Sequence, residues 1–165
     1  RVTPTGKNKV PMAQLRQLLS DNGFSNVQTW IQSGNVILDS MLSHKEVGEK
    51  VNSIIKEGIG ADLKIIVKTP DEVAENPFAQ GHDISRVFFA LFNDLPDQSL
   101  VADFQALDFG EDKFAITPHA IYLFVPESFA KTKLNNNFLE RKLKIDVTIR
   151  NFNTLSKLTL LCDNA

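Results

Sequence analysis

Two hairpins, each lying between two helical segments, constrain the fold of this chain more than any other feature. Residues 86–165 are strand-like, helical, strand-like, strand-like, helical and strand-like in turn, and the two central strands are "DKFAIT" and "AIYLFV". Strands joined by a hairpin run antiparallel, whereas neighbouring parallel strands need a long crossover. The order predicts an α+β protein with the split β-α-β arrangement of ferredoxin-like repeats.

The first half of the chain follows the same order from its second element onward. Pro11 begins a helical segment, and the strand-like runs on either side of "QSG" predict a hairpin in which Gly34 has a positive φ. Ser43 and Glu46 have the spacing of a capping box at the start of the next helix, and "LKIIVK" predicts a closing strand. The first strand of this repeat is expected to be missing or truncated at the start of the chain.

We therefore predict two ferredoxin-like (βαββαβ) repeats with antiparallel sheets. Residues 1–69 form the first repeat, residues 70–85 form a linker, and residues 86–165 form the second repeat with a C-terminal helix. Thr69 and Glu72 have the spacing of a capping box, which predicts a short helix in the linker. A doubly wound parallel sheet is the alternative, and the two hairpins disfavour it.

Composition narrows the class of protein. The chain has 165 residues, of which 42% are hydrophobic and 23% are charged, as in ordinary soluble domains. No run approaches the about 20 apolar residues that a membrane span needs. The single cysteine, Cys162, excludes an internal disulfide and gives no zinc-ligand spacing. We expect a cytoplasmic protein with no membrane partner and no cofactor.

Charge is distributed unevenly although the formal net charge is −2. Residues 1–16 contain four basic side chains and no acidic one, and residues 131–157 contain seven basic and two acidic side chains. Residues 71–127, in contrast, contain eleven acidic and two basic side chains. Such asymmetry is typical of a protein with an anion-facing side, and ordinary solvated helix faces are the alternative explanation.

The basic start of the chain includes "PTGKNKVPM", a glycine and a lysine that precede a helix. A nucleotide-hydrolysing phosphate loop needs another glycine five residues before this one and a Ser or Thr after the lysine. Gly6 has no such partner, and Asn8 follows Lys7 in place of the hydroxyl residue. The motif instead predicts a basic loop that leads into a helix N-terminus, where anions are favoured. A plain surface connection is the alternative.

Two further polar motifs lie where strands end. Gln32, Ser33 and Asn35 occupy the tip of the first predicted hairpin, and turn formation alone would explain them. Arg150 ends the last predicted strand, "DVTIR", and Asn151 follows it; an arginine at such a place can bind an oxyanion through two hydrogen bonds. An ion pair of this arginine with a nearby acidic side chain is the alternative.

The residues beside these motifs include further candidates. Lys133 adds a basic side chain just before the asparagine run at 135–137, in which either the helix starts late or the amides have a function. Asn153 is predicted as the N-cap of the C-terminal helix.

The sequence contains no recognisable catalytic motif. The three histidines, His44, His82 and His119, are scattered, and none has a Cys, Asp or Glu at metal-ligand spacing. No nucleophile-elbow or dinucleotide-binding motif is present. Whether the protein is an enzyme stays open, and no catalytic residue or metal ligand is assigned.

Both ends of the chain carry long motifs of one family. The segment "PTGKNKVPMAQLRQLLSDNGFSNVQTWIQSGNVILDS" resembles the opening of the bacterial domain-of-unknown-function 1697 family, and "KTKLNNNFLERKLKIDVTIRNFNTLSKL" resembles its closing segment. Trp30 stands where Tyr is common in the family, and Phe152 where Trp is common. The resemblance implies a duplicated ferredoxin-like α+β fold and implies no activity.

The leading functional hypothesis is a protein that binds a phosphate-bearing small molecule or nucleic acid. Its predicted anion-binding residues are Lys7, Asn8, Gln32, Ser33, Asn35, Lys133, Arg150 and Asn151. One alternative is a protein–protein interaction module without a small ligand, in which the acidic middle of the chain meets a basic partner. The partner in that case could be another copy, although no sequence feature supports a homodimer. The other alternative is an enzyme of unknown reaction.

Overall fold

The computed structural model describes residue 2 and residues 5–163, which form an α+β protein with two antiparallel sheets. The elements in chain order are α1 (Met12–Asp21), β1 (Ser25–Trp30), β2 (Asn35–Asp39), α2 (His44–Gly58), α3 (Pro70–Ala74), β3 (Val87–Leu91), α4 (Gln98–Gln105), β4 (Lys113–Ile116), β5 (Ala120–Phe124), α5 (Asn136–Leu143), β6 (Thr148–Asn151) and α6 (Phe152–Asp163).

The chain divides into two compact units. The first unit contains the residues up to Val67 together with those from Lys157 onward, and the second unit contains Lys68–Ser156. Helix α6 therefore contributes residues to both units. The limits given above for the two repeats and the linker (1–69, 70–85 and 86–165) stay predictions.

The second unit contains the predicted order of strands and helices. Its sheet has the strand order β4-β5-β3-β6, and every pair of neighbours is antiparallel. Strand β5 is apolar without alternation, and its residues Ala120, Ile121, Tyr122 and Leu123 are all buried. A strand with this pattern is covered on both faces of its sheet. The helix-facing side of the sheet packs on the second unit's core, which includes Phe104 of α4.

The first unit contains the β1–β2 hairpin and the helices α1 and α2. Leu15 and Leu19 of α1 pack with Val51 and Ile55 of α2 in one buried cluster. The hairpin is confirmed, and its four-residue turn, residues 31–34, lies between the paired Trp30 and Asn35.

The predicted capping box of α2 is also confirmed. Ser43 accepts a hydrogen bond from the Glu46 backbone N–H, and the Glu46 carboxylate accepts one from the Ser43 backbone N–H. These hydrogen bonds hold the pKa of the Glu46 carboxyl below its usual value. The local spacing in the sequence was sufficient to place this helix start.

The duplication of the fold stays a prediction. Among the described residues, no strand is assigned between 60 and 69, where "LKIIVK" predicted one. Residues 1, 3 and 4, next to the expected truncated first strand, lie outside the described residues.

Several predicted helix starts are corrected by the structure. Asn151, not Asn153, caps α6, because its Oδ1 atom accepts a hydrogen bond of 2.8 Å from the Thr154 backbone N–H. Thr69 makes no side-chain capping hydrogen bond at the start of α3, so the expected capping box there is wrong.

The asparagine run at 135–137 is explained by a late helix start. Asn135 caps α5 by accepting a hydrogen bond of 3.0 Å from the Phe138 backbone N–H. The Asn136 side chain then donates to the Glu140 carboxylate one turn further along the same helix. Two of the three amides therefore have structural roles at the start of α5.

We expect Asn151→Ala to lower the free energy of unfolding by about 1 kcal/mol, because the substitution removes the N-cap acceptor. In a protein of this size the melting temperature should fall by roughly 2–4 °C. Asn153→Ala is the matched control, since Asn153 is exposed in the first turn of α6. A larger loss in Asn153→Ala than in Asn151→Ala, measured by thermal unfolding, would show that the cap is assigned to the wrong asparagine.

Replacing Gly34, the single glycine of the hairpin, is expected to be costly. Its φ is +86°, and a Cβ atom there would lie 2.7 Å from Val2 Cγ2. Gly60 has the same φ, but a Cβ atom there would have no neighbour within 4 Å. Both alanine variants should lose about 1–2 kcal/mol from the left-handed conformation. In urea unfolding Gly34→Ala should lose more than Gly60→Ala, and equal losses would show that the Val2 contact relaxes at no cost.

Candidate functional site

The eight predicted anion-binding residues fall into two groups. Lys7, Asn8, Gln32, Ser33 and Asn35 belong to the first unit, and Lys133, Arg150 and Asn151 belong to the second.

The basic loop of the first group is a short 3-10 turn, Gly6–Asn8, followed by a helix start without a side-chain cap. The Lys7 side chain is exposed, and Asn8 is half-buried. Pro11 occupies the N-cap position of α1 and provides no side-chain hydrogen bond, and the first turn contains no acidic residue. Because the first N–H groups of a helix carry partial positive charge, this end of α1 favours anions.

The hairpin tip lies against this helix start. Gln32 Nε2 donates a hydrogen bond of 3.3 Å to the carbonyl oxygen of Val10, the residue just before Pro11. Two of the polar motifs, the basic loop and the hairpin tip, are therefore neighbours in the first unit. Nothing in the sequence spacing connects Gln32 with Val10, which lies 22 residues earlier.

Asn35 and Ser33 have structural roles in the turn. Asn35 is only 6% exposed, and its Nδ2 atom donates to the Trp30 carbonyl oxygen at 3.1 Å and to Ser33 Oγ at 2.9 Å. These bonds close the four-residue loop, as expected from the turn-forming chemistry of Asn and Ser. Lys7, Asn8 and Gln32 are therefore the stronger ligand candidates of this group.

The structure adds two hairpin residues that sequence reasoning missed. Ile31 has a φ of +52° and is 52% exposed, although β-branched residues rarely adopt this conformation. Trp30 is 36% exposed, and the Lys157 Nζ atom lies 5.0 Å from the centroid of its indole ring. The guanidinium of Arg16 donates to Thr29 Oγ1, beside this tryptophan. The resemblance to a family that commonly has Tyr at position 30 was the available signal.

The second group has a different character. Lys133 is exposed ahead of α5, whereas Arg150 is half-buried in β6 and donates a hydrogen bond of 3.0 Å to the Ile149 carbonyl oxygen. The Asn151 side chain caps α6. Asn151 therefore has a structural role as a helix cap, whereas the sequence interpretation had treated it as a candidate ligand residue.

A titratable cluster in the second unit was also missed. The Glu72 Oε2 atom lies 3.9 Å from Lys68 Nζ and 3.8 Å from His119 Nδ1. The Lys68 side chain is 10% exposed, and its ammonium lies 5.4 Å from the centroid of the Phe92 ring. Burial lowers the pKa of Lys68, although the charges of Glu72 and Asp94 act in the opposite direction. The spacing of four residues between Lys68 and Glu72 is a signal of an ion pair in the sequence. The sequence interpretation instead assigned Glu72 to a capping box with Thr69.

A groove of about 640 Å³ lies in the second unit. Its lining is residues 93–97, 99, 100 and 143–146, and it contains none of the predicted anion-binding residues. Three aspartates, Asp94, Asp97 and Asp146, face one lysine, Lys144, in this lining. An acidic lining disfavours an anionic ligand in this groove.

The part of the chain that the structure describes meets neither the requirements of a metal site nor those of a membrane-spanning helix. Within it, no group of three or more His, Cys, Asp or Glu side chains could hold a metal ion. None of the helices found there combines the length and the apolar character that crossing a bilayer requires.

Replacing Ile31 tests the strain in the hairpin tip. We expect Ile31→Gly to raise the free energy of unfolding by about 1 kcal/mol, because glycine adopts a positive φ without the steric penalty of a β-branched side chain. Lys144→Gly is the matched comparison, since Lys144 has a φ of +53° without β-branching and should gain less. A loss of stability in Ile31→Gly, measured by urea unfolding, would show that contacts of the isoleucine outweigh its strain.

Comparisons with known proteins identify a family and a fold. The family model described as "Protein of unknown function (DUF1697)" matches residues 2–122. Among solved structures, the conserved bacterial protein SP0830 from Streptococcus pneumoniae is similar, with a TM-score of 0.76 and 24% sequence identity over 98% of this chain and 93% of that one. No curated protein matches the chain. At this identity the structural likeness shows the fold alone. Since the family model covers well over half of the sequence, the chain belongs to the DUF1697 family of conserved proteins of unknown function.

Proposed function

We propose that this protein binds a phosphate-bearing ligand through the polar loops of its first unit. Lys7, Asn8 and Gln32 contact the ligand, and Ser33 and Asn35 hold the shape of the hairpin tip. The observation that carries the proposal is the hydrogen bond from Gln32 Nε2 to the Val10 carbonyl oxygen. This bond keeps the hairpin tip beside the basic loop and the uncapped start of α1.

Electrostatics supports an anion at this place. Residues 1–16 contain four basic side chains and no acidic one, so the loop around Lys7 has no carboxylate of its own to neutralise it. The first turn of α1 likewise contains no acidic residue. An ammonium, an amide and backbone N–H groups together are the donors that phosphate oxygens accept from in proteins.

Lys133, Arg150 and Asn151 of the second unit form a separate candidate group. Arg150 could make two hydrogen bonds to an oxyanion, as a guanidinium does in such sites. The capping role of Asn151 and the acidic groove of the same unit favour the first-unit group over this one.

A thermal-shift screen tests the proposal. The panel contains inorganic phosphate, tripolyphosphate, sugar phosphates, nucleotides, and short RNA and DNA. A ligand at 100 times its dissociation constant should stabilise the protein by about 2.7 kcal/mol, which corresponds to roughly 5–10 °C here. We expect Lys7→Ala to reduce the shift strongly, because the ammonium supplies the charge of the first-unit group.

Matched variants separate the two groups. Lys45→Ala removes an exposed lysine of α2 and should leave the shift unchanged. Arg150→Ala and its exposed control Lys113→Ala report on the second unit. A shift lost only in Arg150→Ala would move the ligand to the second-unit group, and no shift with any member of the panel would contradict phosphate binding altogether.

A second candidate function is a protein–protein interaction module. Met41 is fully exposed, and Leu42 beside it is also exposed, in the loop between β2 and α2. Adjacent exposed apolar side chains are common at binding surfaces, although single ones are ordinary. This function becomes the better one if the ligand panel gives no shift and the protein associates with itself or with a basic partner in light scattering.

A further inference from the structure

We propose that the ligand of the first unit is a mononucleotide whose base stacks on Trp30. This inference rests on the proposed function, because the polar loops supply the contacts to the phosphate. The hairpin whose tip is hydrogen-bonded to the residue before α1 also carries an exposed indole ring, and this juxtaposition leads from a simple anion to a nucleotide.

The position of Trp30 links it to the polar loops. Trp30 ends β1, pairs with Asn35 across the hairpin, and its carbonyl oxygen accepts the hydrogen bond from Asn35 Nδ2. Only one residue, Ile31, separates Trp30 from Gln32, whose side chain reaches the start of α1. A ligand held by the hairpin tip therefore lies within the length of a nucleotide from the indole ring.

The surroundings of the indole ring suit a nucleotide. Trp30 is 36% exposed, so part of its ring is in contact with solvent. Lys157 lies over the ring with its Nζ atom 5.0 Å from the centroid, so a basic side chain is present at the indole ring. Every nucleobase has a π face that can stack on an aromatic side chain, and nearby basic side chains contribute further to binding.

The conformation of Ile31 supports a functional tip. A β-branched residue with a φ of +52° is strained, and its side chain is 52% exposed, so burial gives little in return. Strain of this kind occurs most often at ligand-binding and catalytic sites, where the backbone must place its neighbours in one orientation. Here the neighbours are Trp30 and Gln32, the two side chains that the proposal assigns to base and phosphate.

A mononucleotide fits better than a nucleic acid strand. Proteins that bind single strands stack several successive bases on several aromatic side chains. Among the residues that the structure describes, Trp30 is more exposed than any phenylalanine or tyrosine. The chain also has a formal net charge of −2, which disfavours a long polyanion.

Tryptophan fluorescence tests the stacking directly, because Trp30 is the single tryptophan of the sequence. The protein is titrated with ATP, AMP, adenosine, tripolyphosphate and a short single-stranded DNA, and each binding isotherm is also measured by thermal shift. We expect ATP and AMP to quench the fluorescence saturably. Tripolyphosphate should bind without quenching, because it has no base to stack on the indole ring.

Two variants of Trp30 complete the test. Trp30→Leu should weaken ATP binding roughly 5- to 150-fold, the range measured for losing one stacked base, and should leave tripolyphosphate binding unchanged. Trp30→Tyr keeps an aromatic face and should retain most of the ATP affinity. Circular dichroism and urea unfolding of both variants show whether they are folded.

The outcomes distinguish this inference from the proposed function. If tripolyphosphate binds as tightly as ATP and Trp30→Leu changes neither affinity, the anion site stands and the stacking is wrong. If the DNA strand binds and quenches while AMP and ATP do not, the mononucleotide is wrong. If neither tripolyphosphate nor any nucleotide binds, both proposals are wrong.

Discussion

The hydrogen bond from Gln32 to the Val10 carbonyl oxygen is the interaction on which the candidate site depends. It joins a hairpin turn to the residue before α1, two segments that are 22 residues apart in the chain. Through it, the tip of the hairpin is held beside the basic loop Gly6–Asn8 and the uncapped first turn of α1. The polar residues of the first unit would otherwise be two unrelated surface motifs. Because of this bond, the hairpin tip and the residue before α1 are neighbours on the first unit.

The hairpin tip combines residues that stabilise it with residues that strain it. Asn35 closes the turn through hydrogen bonds to Trp30 and Ser33, and Gly34 supplies a positive φ where a Cβ atom would meet Val2. Ile31, in contrast, adopts a positive φ that its side chain disfavours. A turn built for stability alone would have glycine or asparagine at this position. The stability of the turn alone therefore does not explain an isoleucine at this position.

In the second unit, the sequence interpretation gave several polar residues a different role from the one they have in the structure. In this unit Asn151 caps α6, although the sequence interpretation gave that role to Asn153. Glu72 was assigned to a capping box with Thr69, but its carboxylate lies near Lys68 and His119. The groove of this unit, of about 640 Å³, is lined by three aspartates, so it has the opposite electrostatic character to the basic loop of the first unit.

The sequence by itself determined the features that depend on residues close together in the chain. The Ser43–Glu46 capping box, the hairpin with Gly34 in its turn, and the order of strands and helices in the second unit all follow from local spacing and periodicity. Only the tertiary structure decided that Gln32 contacts Val10, that Trp30 keeps an exposed ring, and that Ile31 is strained. These depend on which distant segments pack together, and on a backbone conformation that disagrees with the local preference of its residue. Helix caps lie between the two cases, since Asn151 and Asn153 are equally good N-caps by composition and the path of the chain after β6 selects one of them.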